Sequence, residues 1–301
     1  MTGALAARIA AALERRPDPA VSQFAERLAR EAGAMAVLFY GSNLRTGSLE
    51  GVLDFYVLLP GGVESGIWPR VSYREWDHGG QVLRAKIATM QIGTFAAAAA
   101  GDMIDTTIWA RFVQPSTLAW CQDAAARGQV ERAIAAAAAT AARLAAALGP
   151  EQGEEWDYWR ALFRATYQAE LRVEKPGRED SILQLNAAHF TGLLPEALAA
   201  AGVPFSRDGD LLHVAMPAAE RRAVLRWWAP RRRLGKLLNV RRLLRATATF
   251  DGAARYAAWK VERHTGITVE LTPWRERHPV LAAPGVLWKI WRSRSQRQNQ
   301  Q

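Results

Sequence analysis

Two short apolar runs, each stopped by glycine, constrain the fold more than any other feature. Residues 35–40 (Met-Ala-Val-Leu-Phe-Tyr) end at Gly41-Ser42, and residues 52–59 (Val-Leu-Asp-Phe-Tyr-Val-Leu-Leu) end at Pro60-Gly61-Gly62. Short apolar runs between turn-forming residues read as buried strands. Ahead of them, residues 3–15 and 20–32 predict two amphipathic helices broken at Pro17 and Pro19. A polar, glycine-bearing turn is expected at 43–51, a third strand over Val82 to Ile92 and a further one over Ile108 to Val113. From Ala124 the pattern is helical. A long alanine-rich helix is expected at 124–148 and a second at 154–173. Amphipathic helices follow at 218–228 and 234–244, where Leu234, Leu237, Leu238 and Leu244 share a stripe. Val203 to Val214, with the turn Arg207-Asp208-Gly209-Asp210, predicts a small hairpin. Strands followed by helices predict an α+β chain, with a boundary near residue 123.

Length and charge narrow the partners. The chain has 301 residues, suited to two domains. It carries 39 basic and 29 acidic residues, a formal net charge of +10. That balance favours a polyanion: nucleic acid, nucleotide phosphates or an anionic membrane. Only Lys86, Lys175, Lys236, Lys260 and Lys289 are lysines. The single cysteine, Cys121, excludes a disulfide framework and a Cys-rich zinc site. No run of 18 apolar residues is present, so no membrane-spanning helix is expected. Charges throughout the first 30 residues argue against a signal peptide, and the chain reads as intracellular.

The chemistry-bearing segment is Tyr40-Gly41-Ser42, with Asp54 twelve residues after Ser42. A strand ending in Gly-Ser, a short connection and an aspartate in the next strand resembles nucleotidyltransferases of the polymerase-β type. Gly41 lets backbone approach a triphosphate, and Ser42 offers a hydroxyl and an N–H to phosphate oxygens. An aspartate on the adjacent strand can hold Mg²⁺ against those oxygens. That superfamily usually has Asp-x-Asp; here the second position is Tyr56.

More of the chain resembles one branch of that superfamily, the mitochondrial translocator-assembly-and-maintenance family of peripheral phosphatidate cytidylyltransferases (CDP-diacylglycerol synthases). The likeness runs through Phe39-Tyr40-Gly41-Ser42 and through Leu53-Asp54-Phe55, where the family also has a single aspartate. It continues at Trp68, with Pro69 in place of a histidine, at Lys86-Ile87, and over Trp109-Ala110-Arg111-Phe112-Val113-Gln114-Pro115. It extends to Tyr167-Gln168-Ala169-Glu170-Leu171-Arg172, to Ala188-His189-Phe190, and to 245–260 with Thr249, Gly252, Tyr256 and Lys260. The departures at Pro69, around Lys86 and at Glu170 mark a distant relative.

The resemblance implies a polymerase-β-type nucleotidyltransferase domain over 1–123. A mainly helical, winged-helix-like domain over 124–285 would follow, with the 203–214 hairpin as its wing. It implies that CTP and phosphatidic acid give CDP-diacylglycerol and pyrophosphate, with Mg²⁺ as cofactor. Asp54 is then the metal ligand, and Lys86 and Arg111 complete the catalytic set. Tyr40, Gly41, Ser42, Glu170 and Arg172 are the nucleotide contacts, with Glu170 either a second metal carboxylate or the partner of Arg172. The five histidines have no metal-ligand spacing and form no triad; His189 reads as a packing residue.

The tail, 286–301, is basic and amphipathic. On a helix Leu287, Trp288, Ile290 and Trp291 gather on one side, with Lys289, Arg292 and Arg294 around them. Tryptophans beside basic residues suit a helix lying in a bilayer interface. The expected location is therefore cytoplasmic, peripheral on the inner face of the cell membrane, with an anionic membrane surface as partner and no nucleic acid. Two alternatives remain at this level: a nucleotidyltransferase with another acceptor, and a non-catalytic basic nucleic-acid-binding protein on a degenerate nucleotidyltransferase scaffold. The sequence offers no basic-aromatic RNA module for the latter, and it leaves the oligomeric state open.

Overall fold

The computed structural model describes residues 3–170, 178–249, 252–265, 272 and 274. Arg172 and the tail 286–301 lie outside these residues. The chain is a mixed α+β structure. Helix α1 (Gly3–Glu14) is followed by α2 (Pro19–Ala32), which begins where the Asp18 carboxylate accepts from Ala20 N–H at 2.8 Å and ends at Gly33 in the left-handed region. Then come β1 (Ala36–Tyr40), the short α3 (Ser42–Thr46), β2 (Leu53–Leu59), β3 (Arg70–His78) and β4 (Gln81–Gln91). Helices α4 (Ile92–Ala99) and α5 (Thr107–Phe112) lead to β5 (Ser116–Cys121).

These strands form one sheet in the order β3-β4-β2-β1-β5, with β2 and β4 parallel and the other neighbours antiparallel. Both faces of its centre are covered, which explains why β1 and β2 are nearly continuous apolar runs. Val37, Phe39, Phe55, Val57 and Ile87 pack with Val21, Phe24 and Leu28 of α2. Leu38, Tyr56, Leu58, Ala88 and Met90 share the opposite cluster with α4, α5 and the long helix α6 (Ala124–Leu148). Alanine dominates α6, and its alanines are buried on nearly all sides. The small side chains let α1, α4, α5 and several later helices approach it together.

After α6 come β6 (Gln152–Glu154), α7 (Glu155–Ala169), α8 (Arg178–Leu185), α9 (Ala187–Phe190) and α10 (Leu193–Ala200). The expected hairpin is β7 (Phe205–Asp208) and β8 (Leu211–Val214), extended by β6 into a small sheet of order β6-β8-β7. Helices α11 (Ala218–Thr249) and α12 (Ala253–Thr265) complete the described chain. The apolar cluster around α6 is continuous across residue 123, joining Leu38 and Tyr56 to Trp159, Leu198 and Val224.

Four expectations are corrected. Ile108 to Val113 is no strand but lies on α5 and its C-cap, because Ile108, Trp109 and Phe112 bury one helical side. Residues 218–228 and 234–244 belong to one helix, α11, with Pro230 inside it. The turn at 43–51 contains α3, and β3 was not expected at all. As an edge strand, β3 carries Arg70, Arg74, Glu75 and Asp77, which hide its strand character. Among the described residues, no helix is long and apolar enough to cross a membrane.

Candidate active site

Strand pairing brings three of the expected residues into one row. Tyr40 on β1 faces Asp54 on β2, and Asp54 is in register with Lys86 on β4. Cross-strand partners stand on the same face, with neighbouring strands about 4.8 Å apart. The row continues to Tyr73 on β3, the register partner of Lys86.

Gly41 closes this row against the chain that follows. Its φ of 89° lies in the region that favours glycine, and a Cβ there would meet Asp54 Oδ2 at 3.0 Å. The carboxylate thus leans on the Gly41-Ser42 turn, as its spacing in the sequence suggested. Ser42 is exposed at the start of α3, and its hydroxyl donates to Asn43 Oδ1 at 3.3 Å. Asn43, which sequence reasoning missed, is buried and holds the turn: its Nδ2 donates to Ser48 O at 2.8 Å and to Glu50 O at 2.7 Å. An asparagine directly after Gly-Ser, a residue type whose side chain bonds nearby backbone in turns, was the available signal.

Gly41→Ala is expected to lower stability by about 1–2 kcal/mol and to displace the Asp54 carboxylate, so that any Asp54-dependent activity falls further than stability does. Urea unfolding compared with turnover of the same variant checks this; full activity in a destabilised variant would refute it.

Arg111 sits above the row. It projects from α5, donates from Nη1 to Tyr56 Oη at 3.0 Å, and lies over the rings of Tyr40 at 5.3 Å and Tyr56 at 5.8 Å. Tyr56 is thus a buried phenol bonded to a cation. Glu170, at the end of α7, is buried and accepts from Thr106 Oγ1 at 3.1 Å. It acts on the Arg111 side of the site, where its charge helps to hold the guanidinium. His189 donates from Nε2 to Val113 O at 2.9 Å and packs edge-on to Phe190, in keeping with a packing role.

The electrostatics of the row couple Asp54, Lys86 and Arg111. Burial raises the Asp54 carboxyl above its ordinary value, and Lys86 and Arg111 oppose that shift. The surrounding protein lowers Lys86, although its side chain reaches solvent; Asp54 opposes, while Arg111 and Lys260 lower it further. Burial disfavours the charge on Arg111, but Tyr40, Tyr56, Glu170 and Asp54 outweigh this and raise its pKa. Burial also raises the Tyr40 phenol, which stays neutral. Two cations, Lys86 and Arg111, therefore act on Asp54, and Glu170 acts on Arg111 from the other side.

Helix α12 adds residues that had no assigned role. Tyr256 contacts Tyr73 at 5.3 Å between ring centroids, and Lys260 Nζ lies 5.7 Å from the Tyr256 ring. Trp259 receives the guanidinium groups of Arg84 at 5.4 Å and Arg263 at 5.3 Å.

A Mg²⁺ ion commonly binds through one or two carboxylates plus substrate phosphates rather than in an all-protein cage. Among the described residues no group of three or more His, Cys, Asp or Glu could hold a metal. Asp54, half-buried against Gly41, fits the one-carboxylate arrangement. The chain matches no protein-family model and no curated protein.

Proposed function

We propose that this chain is a Mg²⁺-dependent nucleotidyltransferase of the polymerase-β type that transfers CMP from CTP to phosphatidic acid at a membrane surface. The observation that carries the reading is the row Tyr40–Asp54–Lys86, with Gly41 closed against Asp54 and Arg111 above it. The lipid acceptor rests on the order of the motifs and on the basic, tryptophan-bearing tail 286–301. The 203–214 hairpin within a helical region supports the winged-helix-like second part.

The residues divide the work by charge. Backbone at Gly41 and the hydroxyl and N–H of Ser42 receive the triphosphate, where only a glycine allows close approach. Asp54 would hold Mg²⁺, which neutralises phosphate oxygens and orients the triphosphate. Lys86 and Arg111 offset negative charge that builds on the transferred and leaving groups. Tyr40 and Tyr56 fix the guanidinium in place. An oxygen of the lipid phosphate forms the new bond to the α-phosphorus, and the bond to the bridging oxygen of pyrophosphate breaks.

A phosphomonoester has a second pKa of about 6, so its dianion attacks at neutral pH without losing a proton to the protein. This accords with a site in which Lys86 and Arg111 flank Asp54.

Incubation of the purified protein with CTP, Mg²⁺ and phosphatidic acid vesicles is expected to yield CDP-diacylglycerol and pyrophosphate, read by mass spectrometry. Substituting ATP, GTP or UTP, or offering glycerol 3-phosphate or RNA as acceptor, tests the donor and acceptor separately. No product with any divalent cation would reject transfer, and product with another acceptor alone would reject the lipid.

A further inference from the structure

Helix α12 is pinned at both ends. A Cβ on Gly252, just before the helix, would lie 2.6 Å from Tyr73 O on β3, so the backbones are in contact there. At the other end Arg263 Nη1 lies 3.1 Å from where a Gly51 Cβ would sit. Gly51 leads into β2, next to the turn held by Asn43. Helix α12 packs against β3, Trp259 takes the guanidinium of Arg84 on β4, and the Arg263 side chain reaches toward Gly51, so the helix borders the side of the sheet that carries Lys86. The eleven residue steps from Gly252 to Arg263 span about 16 Å along the helix.

A chain of contacts leads from Lys86 to Lys260. Tyr73 is the register partner of Lys86, its ring meets Tyr256, and Tyr256 carries Lys260 over its own ring. Arg84 is drawn aside by Glu75 at 3.3 Å and by Trp259.

We infer that Lys260, together with Lys86, forms the subsite for the phosphomonoester group of the acceptor, distinct from the triphosphate subsite at Gly41-Ser42. The inference rests on the transfer reaction proposed above and assigns the side from which the acceptor enters. In an in-line displacement the attacking and leaving oxygens lie on opposite sides of the phosphorus. Gly41-Ser42 is on the β1 side of Asp54, and Lys86 and Lys260 are on the β4 side. Pyrophosphate leaves toward the first, and the acceptor phosphate approaches from the second. Tyr256 and Tyr73 act as positioning residues for Lys260.

The test uses the full chain and two separate titrations, one with dihexanoyl phosphatidic acid as a soluble phosphomonoester and one with CTP. Lys260 is exposed, so Lys260→Ala is expected to fold normally. It should weaken dihexanoyl phosphatidic acid binding about tenfold and raise the acceptor KM in parallel. CTP binding should change less than about twofold, and Lys260→Arg should restore most of the loss. Unchanged acceptor binding, equal weakening of CTP, or no binding of the probe by the wild-type chain would overturn the subsite. Lys260-dependent binding without any CDP-diacylglycerol would leave the subsite standing and remove the transfer reaction. Product formation indifferent to Lys260 would do the reverse.

Discussion

Asp54→Asn is expected to lower nucleotidyl transfer by about 1,000-fold while leaving the fold intact and raising its stability at neutral pH. The activity loss follows because Asp54 is the carboxylate of the row and the one leaning on the Gly41-Ser42 turn. The stability gain follows from the sign of its titration. Burial raises the carboxyl above its ordinary 3.8, so the folded chain holds that proton more tightly than the unfolded chain. Its stability contribution is complete below pH 3.8 and is lost as pH rises through the raised value. Asparagine carries no such loss. Unfolding by denaturant should show the variant ahead of wild type at neutral pH, with the difference vanishing below pH 3.8. A variant less stable than wild type at neutral pH, or one that keeps wild-type turnover, would contradict the role given to Asp54.

Arg231→Leu is expected to produce the largest loss of stability, about 3 kcal/mol, and several degrees of melting temperature. Arg231 is buried in α11, and its guanidinium lies 3.9 Å from the centre of the Trp227 ring. It donates to Gly101 O at 2.7 Å, to Met103 O at 2.9 and 3.1 Å, and to Trp227 O. Leucine keeps much of the bulk but leaves three carbonyl oxygens without this donor. The segment it holds leads to Thr106, which bonds Glu170, and to α5, which carries Arg111. Part of the activity should therefore fall with the stability. The adjacent Arg232 is exposed, and Arg232→Leu should stay within about 0.5 kcal/mol. Thermal unfolding of the two variants side by side decides the matter; equal effects would place the stabilisation elsewhere.

The elements legible in the sequence were those whose environment is uniform along their length. β1 and β2 are covered on both faces, so they stood out as apolar runs. The span of α6 was readable because alanine favours helix and Asp123 caps it, accepting from Ala126 N–H at 2.8 Å. Ile108 to Val113 misled because a six-residue apolar run fits both a buried strand and a buried helical turn. The two helices expected at 218–228 and 234–244 are one, because α11 continues through Pro230. The contact of Gly41 with Asp54 was legible because both lie close in sequence on adjacent strands. The register of Asp54 with Lys86 depends on β2 pairing in parallel with β4 around the intervening β3, and no local pattern encodes it. Nor did any local signal place α12 against β3, since its charged and aromatic residues suit a solvated helix equally well.

The docking of α1 carries a consequence for synthesis. Leu5, Ile9 and Leu13 are buried against the helical body, and Arg8 pairs with Glu196 at 2.8 Å, 188 positions later. At about 5–20 residues per second, α1 leaves the ribosome roughly 10–40 s before that partner does. During that interval its apolar stripe has no native surface to cover it. Slow or paused translation before α10 should therefore increase chaperone capture of the nascent chain, and polar replacements at Leu5 or Ile9 should reduce capture while weakening the finished fold.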